Sequence, residues 1–107
     1  MDEYCFIITT FRINRHEKTM EKMIKTLIQE KLIACAKIIG SDSYGTWIHM
    51  PIHNDEYMVF MTSKKALFTQ AENKIKEMHP YDIPEITMID IPMMSKDYAA
   101  WLEGVLK

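Results

Sequence analysis

Two amphipathic helical patterns, each lying between strand-like runs, are the feature of this 107-residue sequence that most constrains its fold. In the first pattern, apolar residues recur at the spacing of one helix face, at Met20, Met23, Ile24, Leu27 and Ile28. In the second pattern, one face is marked by Leu67, Ala71, Ile75 and Met78. Runs rich in β-branched and aromatic residues predict four strands, over residues 4–10, 33–39, 56–61 and 86–91. The order is therefore β-α-β-β-α-β, which is the α+β, ferredoxin-like arrangement of one antiparallel sheet with two helices on one face.

Local signals predict where the helices begin and end. Asn14 followed by Glu17 resembles an N-cap with its capping-box partner before the first helix. Ser63 is the candidate N-cap of the second helix, and His79-Pro80 is expected to end it, because proline disfavours helical geometry in the residue before it. Ser95 is the candidate N-cap of a short C-terminal helix, whose buried stripe consists of Tyr98, Trp101, Leu102 and Val105.

The second and third strands are predicted to form a long hairpin that overhangs the domain. His53-Asn54-Asp55 is the strongest turn signal in the sequence, so the first arm is expected to run from about residue 33 to 52 and to exceed the second arm, 56–61. The overhanging part carries Tyr44, Trp47 and Ile48. Exposed aromatic edges promote association, and the simplest cover is another copy of the chain. We therefore expect Tyr44 and Trp47 at an interface between copies.

The charge pattern and composition exclude several classes of partner. The 13 basic and 15 acidic residues are scattered, and they give a net charge of −2 without the basic surface that nucleic-acid binding requires. No apolar segment approaches the roughly 20 residues of a membrane span. The start, Met1-Asp2-Glu3, is acidic where a signal peptide is basic. We expect a cytoplasmic protein with neither nucleic acid nor membrane as partner.

The sequence holds none of the common catalytic or cofactor motifs, such as a P-loop, G-x-S-x-G, H-E-x-x-H or C-x-x-C. We therefore expect no enzyme and no organic cofactor; an acylphosphatase-like activity with a loop arginine is the weakest alternative. His49 and His53 lie about 13 Å apart in an extended strand, too far to share one ion. Cys5 and Cys35 are expected to stay reduced, because they form no C-x-x-C pair.

Two segments carry candidate ligand-binding residues. Arg12 and Arg15 lie where the first strand leads to the first helix, which suits an anion site, although a solvated loop is the simpler interpretation. The stretch His79–Ile86, H-P-Y-D-I-P-E-I, holds two prolines that fix a rigid, extended path. Within it, Glu85 is expected to face solvent, a partner or a ligand. His79 is a candidate ligand or hydrogen-bond donor, with helix C-terminal capping as its alternative role.

The chain resembles the CutA family, the divalent-cation-tolerance proteins. The H-P-Y-x-x-P-E-I signature is complete over residues 79–86, and residues 27–38 are similar to the L-x-E-x-L-A-A-C-x-x-I segment of the family. Y-x-x-W-L recurs over residues 98–102. Tyr44, Trp47 and Glu56 fit the Y-x-x-W…E register of its hairpin. The resemblance covers nearly the whole of the single predicted domain, residues 1–107.

The resemblance implies a function as well as a fold. It implies a homotrimer similar in architecture to PII signalling proteins, and a role in tolerance to divalent metals, copper foremost, by binding rather than catalysis. If a metal site exists, we expect it to involve His79 and Cys35, the two positions that keep the family motifs, although we expect them about 14 Å apart within one chain. The alternative is that Cys35 is a small buried thiol and that His79 caps the second helix. The alternative is a PII-like module that holds a small anionic ligand in clefts between subunits, lined by Arg12, Arg15, Tyr81 and Glu85.

Two departures from the family pattern bear on these expectations. His49 occupies a hairpin position where family members often carry glycine. Thr10 stands near the end of the first strand, where some bacterial members have a cysteine that contributes to metal binding. This chain has no thiol at that position, so we do not expect a metal site that relies on it.

Overall fold

The structure, a computed structural model, confirms the predicted order of helices and strands. It describes residues 3–107, so Met1 and Asp2 of the acidic start lie outside the described residues. The elements are β1 (Tyr4–Arg12), α1 (Glu17–Gln29), β2 (Cys35–Trp47), β3 (Met50–Lys64), α2 (Phe68–Met78), β4 (Thr87–Asp90) and α3 (Lys96–Val105), with a 3-10 turn (Lys65–Leu67) before α2.

The four strands form one antiparallel sheet in the order β2-β3-β1-β4. Because β3 lies between β1 and β2, Cys5 pairs with Ser63 while Cys35 pairs with Thr62. The two thiols are free and a strand apart, as the sequence predicts. In the part of the chain that the structure describes, β2 and β4 are edge strands with one sheet neighbour each.

The core lies between one face of the sheet and the two longer helices. Side chains alternate along a strand, so every second residue of β1 joins the buried cluster with the apolar stripes of α1 and α2. The fully buried members include Cys5, Ile7, Phe11, Met23, Leu27, Val59, Met61 and Ile75. The other face is covered at one end by α3, where the Tyr4 hydroxyl donates to Glu103 Oε2 at 2.6 Å.

The predicted hairpin turn at His53-Asn54-Asp55 is wrong. These residues lie inside β3, and the chain reverses at Ile48 and His49, which both have positive φ (50° and 63°) between the paired residues Trp47 and Met50. Because continuous cross-strand pairing satisfies the backbone along both arms, it overrides the turn preference of the polar residues.

Both arms of the hairpin therefore extend together, and the expectation that the first arm is far longer than the second is also wrong. The predicted overhang with its exposed apolar side chains is confirmed: Tyr44 is 77% exposed, Trp47 47% and Ile48 74%.

The helix starts differ in part from the predictions. Helix α1 begins at Glu17 with His16 as N-cap residue, and Asn14 is not the cap; its backbone N–H instead donates to the Glu17 carboxylate. Ser63 is not a cap either, because it lies in β3 and its hydroxyl donates to Leu32 O at 2.6 Å. Ser95 caps α3 as predicted, accepting from Tyr98 N at 3.2 Å. The buried stripe predicted for this helix is wrong at Trp101, which is 46% exposed, whereas Leu102 is fully buried.

The remaining boundaries follow the sequence signals. Helix α2 ends at Met78, directly before His79-Pro80, and β4 occupies the middle of the predicted stretch 86–91. Among residues 3–107, no helix has the length and apolar character that crossing a bilayer requires.

Candidate functional site

A cavity of about 460 Å³ opens between the hairpin and the segment that follows α2. It lies on the sheet face opposite α1 and α2. Arg12 and its cross-strand partner Glu56 point to that face, and Ile52, four residues before Glu56 in β3, points to the same face. We call it the hairpin cleft; its principal lining residues are Arg12, Trp47, Ile52, Glu56, Tyr81 and Ile83. The volume falls in the range of small-molecule sites, and polar and apolar groups both line it.

The inner wall of the hairpin cleft carries a buried carboxylate. Glu56 is only 9% exposed, and its Oε2 accepts a hydrogen bond from the Tyr81 hydroxyl at 2.7 Å. Burial and the adjacent carboxylate raise the pKa of Tyr81 well above its ordinary value. Tyr81 therefore remains a protonated donor to Glu56, and the pair joins the hairpin to the segment after α2.

His79 supports Tyr81 from beneath the cleft. The backbone N–H of Tyr81 donates to His79 Nδ1 at 3.1 Å, so Nε2 carries the proton and donates to Thr10 O at 2.7 Å. The imidazole stacks on Phe11 with ring centroids 4.2 Å apart. Desolvation lowers the pKa of His79, which keeps the ring neutral. In this arrangement both ring nitrogens are engaged within the protein.

Of the four residues predicted to line clefts between subunits, the structure places two at this cavity within one chain. Arg12 lines the mouth of the cleft, where its guanidinium donates to Asn54 Oδ1 at 2.6 Å, and Tyr81 lines the wall. Arg15 and Glu85 are exposed and do not line the cavity. Glu85 accepts instead from the Thr87 hydroxyl at 3.1 Å.

The sequence predicts Glu56 only as the first residue of a strand, so it assigned this residue no role in a site. The available signal was its place in the Y-x-x-W…E pattern, whose tryptophan, Trp47, lines the same cavity. Its burial follows from Tyr81, a residue 25 positions later, and only the fold reveals that partner.

Cys35 occupies a separate environment under α3. Its Sγ lies 3.5 Å from both Thr62 Oγ1 and Tyr98 OH. Partial burial opposes ionisation, but hydrogen bonds with the Thr62 and Tyr98 hydroxyls, together with the charge of Lys37, outweigh it and lower the pKa of the thiol. Of the two cysteines, Cys35 is the less buried and the one whose thiol pKa is lowered.

Within one chain, Cys35 and His79 are far apart. Thr62 of β3 pairs with Cys35 on one side and with Phe6 on the other, so Cys35 lies level with Phe6 in the sheet. His79 instead bonds to Thr10, four residues further along β1. Four residues along an extended strand correspond to about 13 Å, before the sideways separation of the strands is added. One chain therefore does not bring the two predicted metal ligands together.

The fold and the cleft together define a class of protein: a ferredoxin-like, PII-like βαββαβ sheet with an extended hairpin and a ligand-sized cavity at the base of that hairpin. Within this class, the chain belongs to the CutA1 divalent ion tolerance protein family, whose sequence model matches residues 5–105.

Individual relatives agree with this assignment. The divalent-cation tolerance protein CutA of Pyrococcus horikoshii is 34% identical over 85 residues, which cover 79% of this chain and 83% of the relative. A crystal structure of a mutant of CutA1 from Pyrococcus horikoshii OT3 superposes with a TM-score of 0.89 at 33% identity, covering 96% of this chain and 98% of that one.

More distant structures share the same fold. The divalent ion tolerance protein CutA1 from Ehrlichia chaffeensis gives a TM-score of 0.86 at 27% identity, covering 98% of this chain and 96% of that one. The periplasmic divalent cation tolerance protein CutA from Archaeoglobus fulgidus gives 0.90 at 24% identity, covering 97% and 99% of the two chains. At that last identity the similarity concerns the fold alone.

Proposed function

We propose that this chain functions as a homotrimer that binds divalent metal ions, copper foremost, and that it is not an enzyme. The observation that carries the proposal is the pair of edge strands β2 and β4, together with the apolar side chains exposed on and beside them. These side chains include Ile38, Ile39, Trp47, Ile48, Met88 and Ile89. Edges of this kind invite further pairing, and a closed ring of copies is the usual way to cover them.

The trimer is tested by light scattering on the full chain and on two tryptophan variants. Trp47 on the hairpin and Trp101 on α3 are almost equally exposed, at 47% and 46%. We expect Trp47→Asp to dissociate the trimer, because a carboxylate in an apolar interface is costly to desolvate. Trp101→Asp is the matched control and should leave the mass unchanged. A monomer mass for the wild type overturns the trimer, and a trimeric Trp47→Asp variant removes Trp47 from the interface.

Metal binding is supported by membership of a divalent ion tolerance family. His79 and Cys35 remain the proposed copper ligands, because imidazole and thiolate are the donors that copper selects. Their separation within one chain requires a subunit boundary to bring them to one ion. His79 would also have to give up its bond to either Thr10 or Tyr81.

Calorimetric titration of copper tests this ligand assignment. We expect His79→Ala and Cys35→Ser to bind copper more weakly than the wild type. Equal binding by all three proteins would contradict the ligand assignment. His79 would then have only its structural role under Tyr81, and Cys35 only its bonds under α3. No heat of binding in the wild type overturns copper as the ligand.

A second candidate function is the binding of a small anionic ligand, as in a PII-like module. The hairpin cleft favours it, because the Arg12 guanidinium stands at the mouth of a cavity with apolar walls at Trp47 and Ile83. A thermal-shift screen of nucleotides and small anions tests it, since a ligand that binds only the native state raises the melting temperature. A rise that Arg12→Gln abolishes supports this function, and no rise with any anion contradicts it.

We further propose that residues 1–107 form one domain in the cytoplasm and that they lack catalytic activity. Support for the last point comes from the cleft, where Glu56, Tyr81 and His79 are bonded to one another or to the backbone. Measurable hydrolysis of an acyl phosphate would contradict the lack of catalytic activity.

The proposed cytoplasmic location is supported by the free cysteines, which fit a reducing compartment. Recovery of the protein in a periplasmic extract would contradict the cytoplasmic location.

A further inference from the structure

We propose that Asp42, His53 and Asp55 form a second kind of divalent-cation site, placed on the hairpin and outside the cleft; this proposal rests on the metal-binding function above. Each residue offers one donor atom, and these atoms all lie within 4.8 Å of one another. The three side chains share the sheet face that α1 and α2 occupy, beyond the end of the core.

The strand register assembles this group from positions that are distant in sequence. Asp42 of β2 lies directly opposite Asp55 of β3, and His53 lies two residues from Asp55, hence on the same face. Two carboxylates opposite each other in a sheet repel, so this pairing is unfavourable without a compensating cation. His53 faces both carboxylates, because its Nε2 lies 3.4 Å from Asp42 Oδ1 and 4.0 Å from Asp55 Oδ1.

The histidine distinguishes this group from an ordinary acidic patch. Tyr44, the cross-strand partner of His53, stacks on the imidazole with ring centroids 4.2 Å apart and planes 8° apart. The stack holds the ring so that Nε2 faces both carboxylates. The donor set is therefore one imidazole nitrogen and two carboxylates on one face of the hairpin.

This donor set selects a class of ion. Imidazole suits Zn²⁺, Cu²⁺ and Ni²⁺, whereas Mg²⁺ and Ca²⁺ prefer oxygen ligands alone. All three residues are exposed, so water would complete the coordination sphere and the ion would exchange with solvent. A bound divalent ion would also neutralise the opposed Asp42 and Asp55. We therefore expect an open, exchangeable site for first-row divalent ions, chemically different from the Cys35 and His79 pair.

The test is calorimetric titration of Zn²⁺ alone into the full chain and three variants. His53→Phe keeps the ring stack on Tyr44 but removes both ring nitrogens, and Asp42→Asn removes one carboxylate at constant size. The matched control is His49→Asn, which changes the other histidine of the same hairpin at a position with positive φ that Asn tolerates. We expect His53→Phe and Asp42→Asn to bind Zn²⁺ at least about 10-fold more weakly, since even a lost outer-shell partner costs that much at metal sites.

A second readout locates the ion independently of affinity. In the amide NMR spectrum of the wild type, Zn²⁺ should shift resonances around residues 42 and 53–55, and a tenfold excess of Mg²⁺ should not. If the wild type binds Zn²⁺ but His53→Phe and Asp42→Asn bind it equally well, the site lies elsewhere; this inference then fails while the proposed metal-binding function stands. If the wild type binds neither Zn²⁺ nor copper, both fail.

Discussion

The bond between Tyr81 and Glu56 makes a quantitative prediction about what holds the hairpin cleft together. Tyr81→Phe removes one hydroxyl and keeps the ring, so apolar packing is unchanged. The lost bond is 2.7 Å long and ends on a carboxylate that is only 9% exposed, so water has little access to replace it. Hydrogen bonds to charged groups contribute about 1.5–3 kcal/mol. We expect the free energy of unfolding to fall by that amount.

A double-mutant cycle with Glu56→Gln measures how much of this bond depends on the charge of the carboxylate, because the amide oxygen of Gln can still accept from Tyr81. Urea unfolding is followed by circular dichroism at one fixed protein concentration, because association makes apparent stability depend on concentration. We expect a coupling energy of about 1 kcal/mol or more between the two positions. Additive effects of Tyr81→Phe and Glu56→Gln would refute the reasoning.

Three further predictions follow from single residues. His49→Gly should stabilise the fold by up to about 1 kcal/mol in urea unfolding. A φ of 63° costs an L-residue about 1–2 kcal/mol, and glycine avoids this cost but loses more chain entropy on folding. A urea midpoint below that of the wild type would contradict this. Iodoacetamide at pH 8 should modify Cys35 but not the buried Cys5, because desolvation raises the pKa of Cys5 to about 11. In the unfolded but unreduced protein, a mass lower by two hydrogens would show a disulfide and contradict the free thiols. The pKa of His79 is lowered in the folded state, so below about pH 6.5 the unfolded state binds more protons than the folded state does. The free energy of unfolding should therefore fall as the pH drops through that value. His79→Gln should lose this part of the pH dependence, and a variant whose stability depends on pH as the wild type's does would contradict the prediction.

The order of elements could be predicted because it depends on local periodicity. The α1 stripe at Met20, Met23 and Leu27 is buried as expected, and proline at position 80 ends α2 where the rule for residues before proline places the end. The hairpin turn could not be predicted in the same way. Ile48 and His49 are not the glycine, asparagine or aspartate that two-residue hairpin turns prefer, and only the pairing of the two arms brings the turn there.

The candidate sites were predictable to the extent that they depend on single segments. Arg12 and Tyr81 stand beside recognisable features, namely the end of a strand and a proline-bracketed motif, and both line the cleft. The meeting of Asp42 with Asp55 depends instead on strand register. A shift of one residue would send Asp42 to the other face, and local sequence does not specify that register.

Native mass spectrometry of the full chain, with and without one divalent metal, tests the central proposal most directly, because one spectrum reports both subunit number and bound ions. We expect a species of three times the 12.6 kDa mass of one chain that gains mass in whole metal ions when Zn²⁺ or copper is added. A spectrum with only the single-chain mass, or a trimer that never gains metal, would contradict the account.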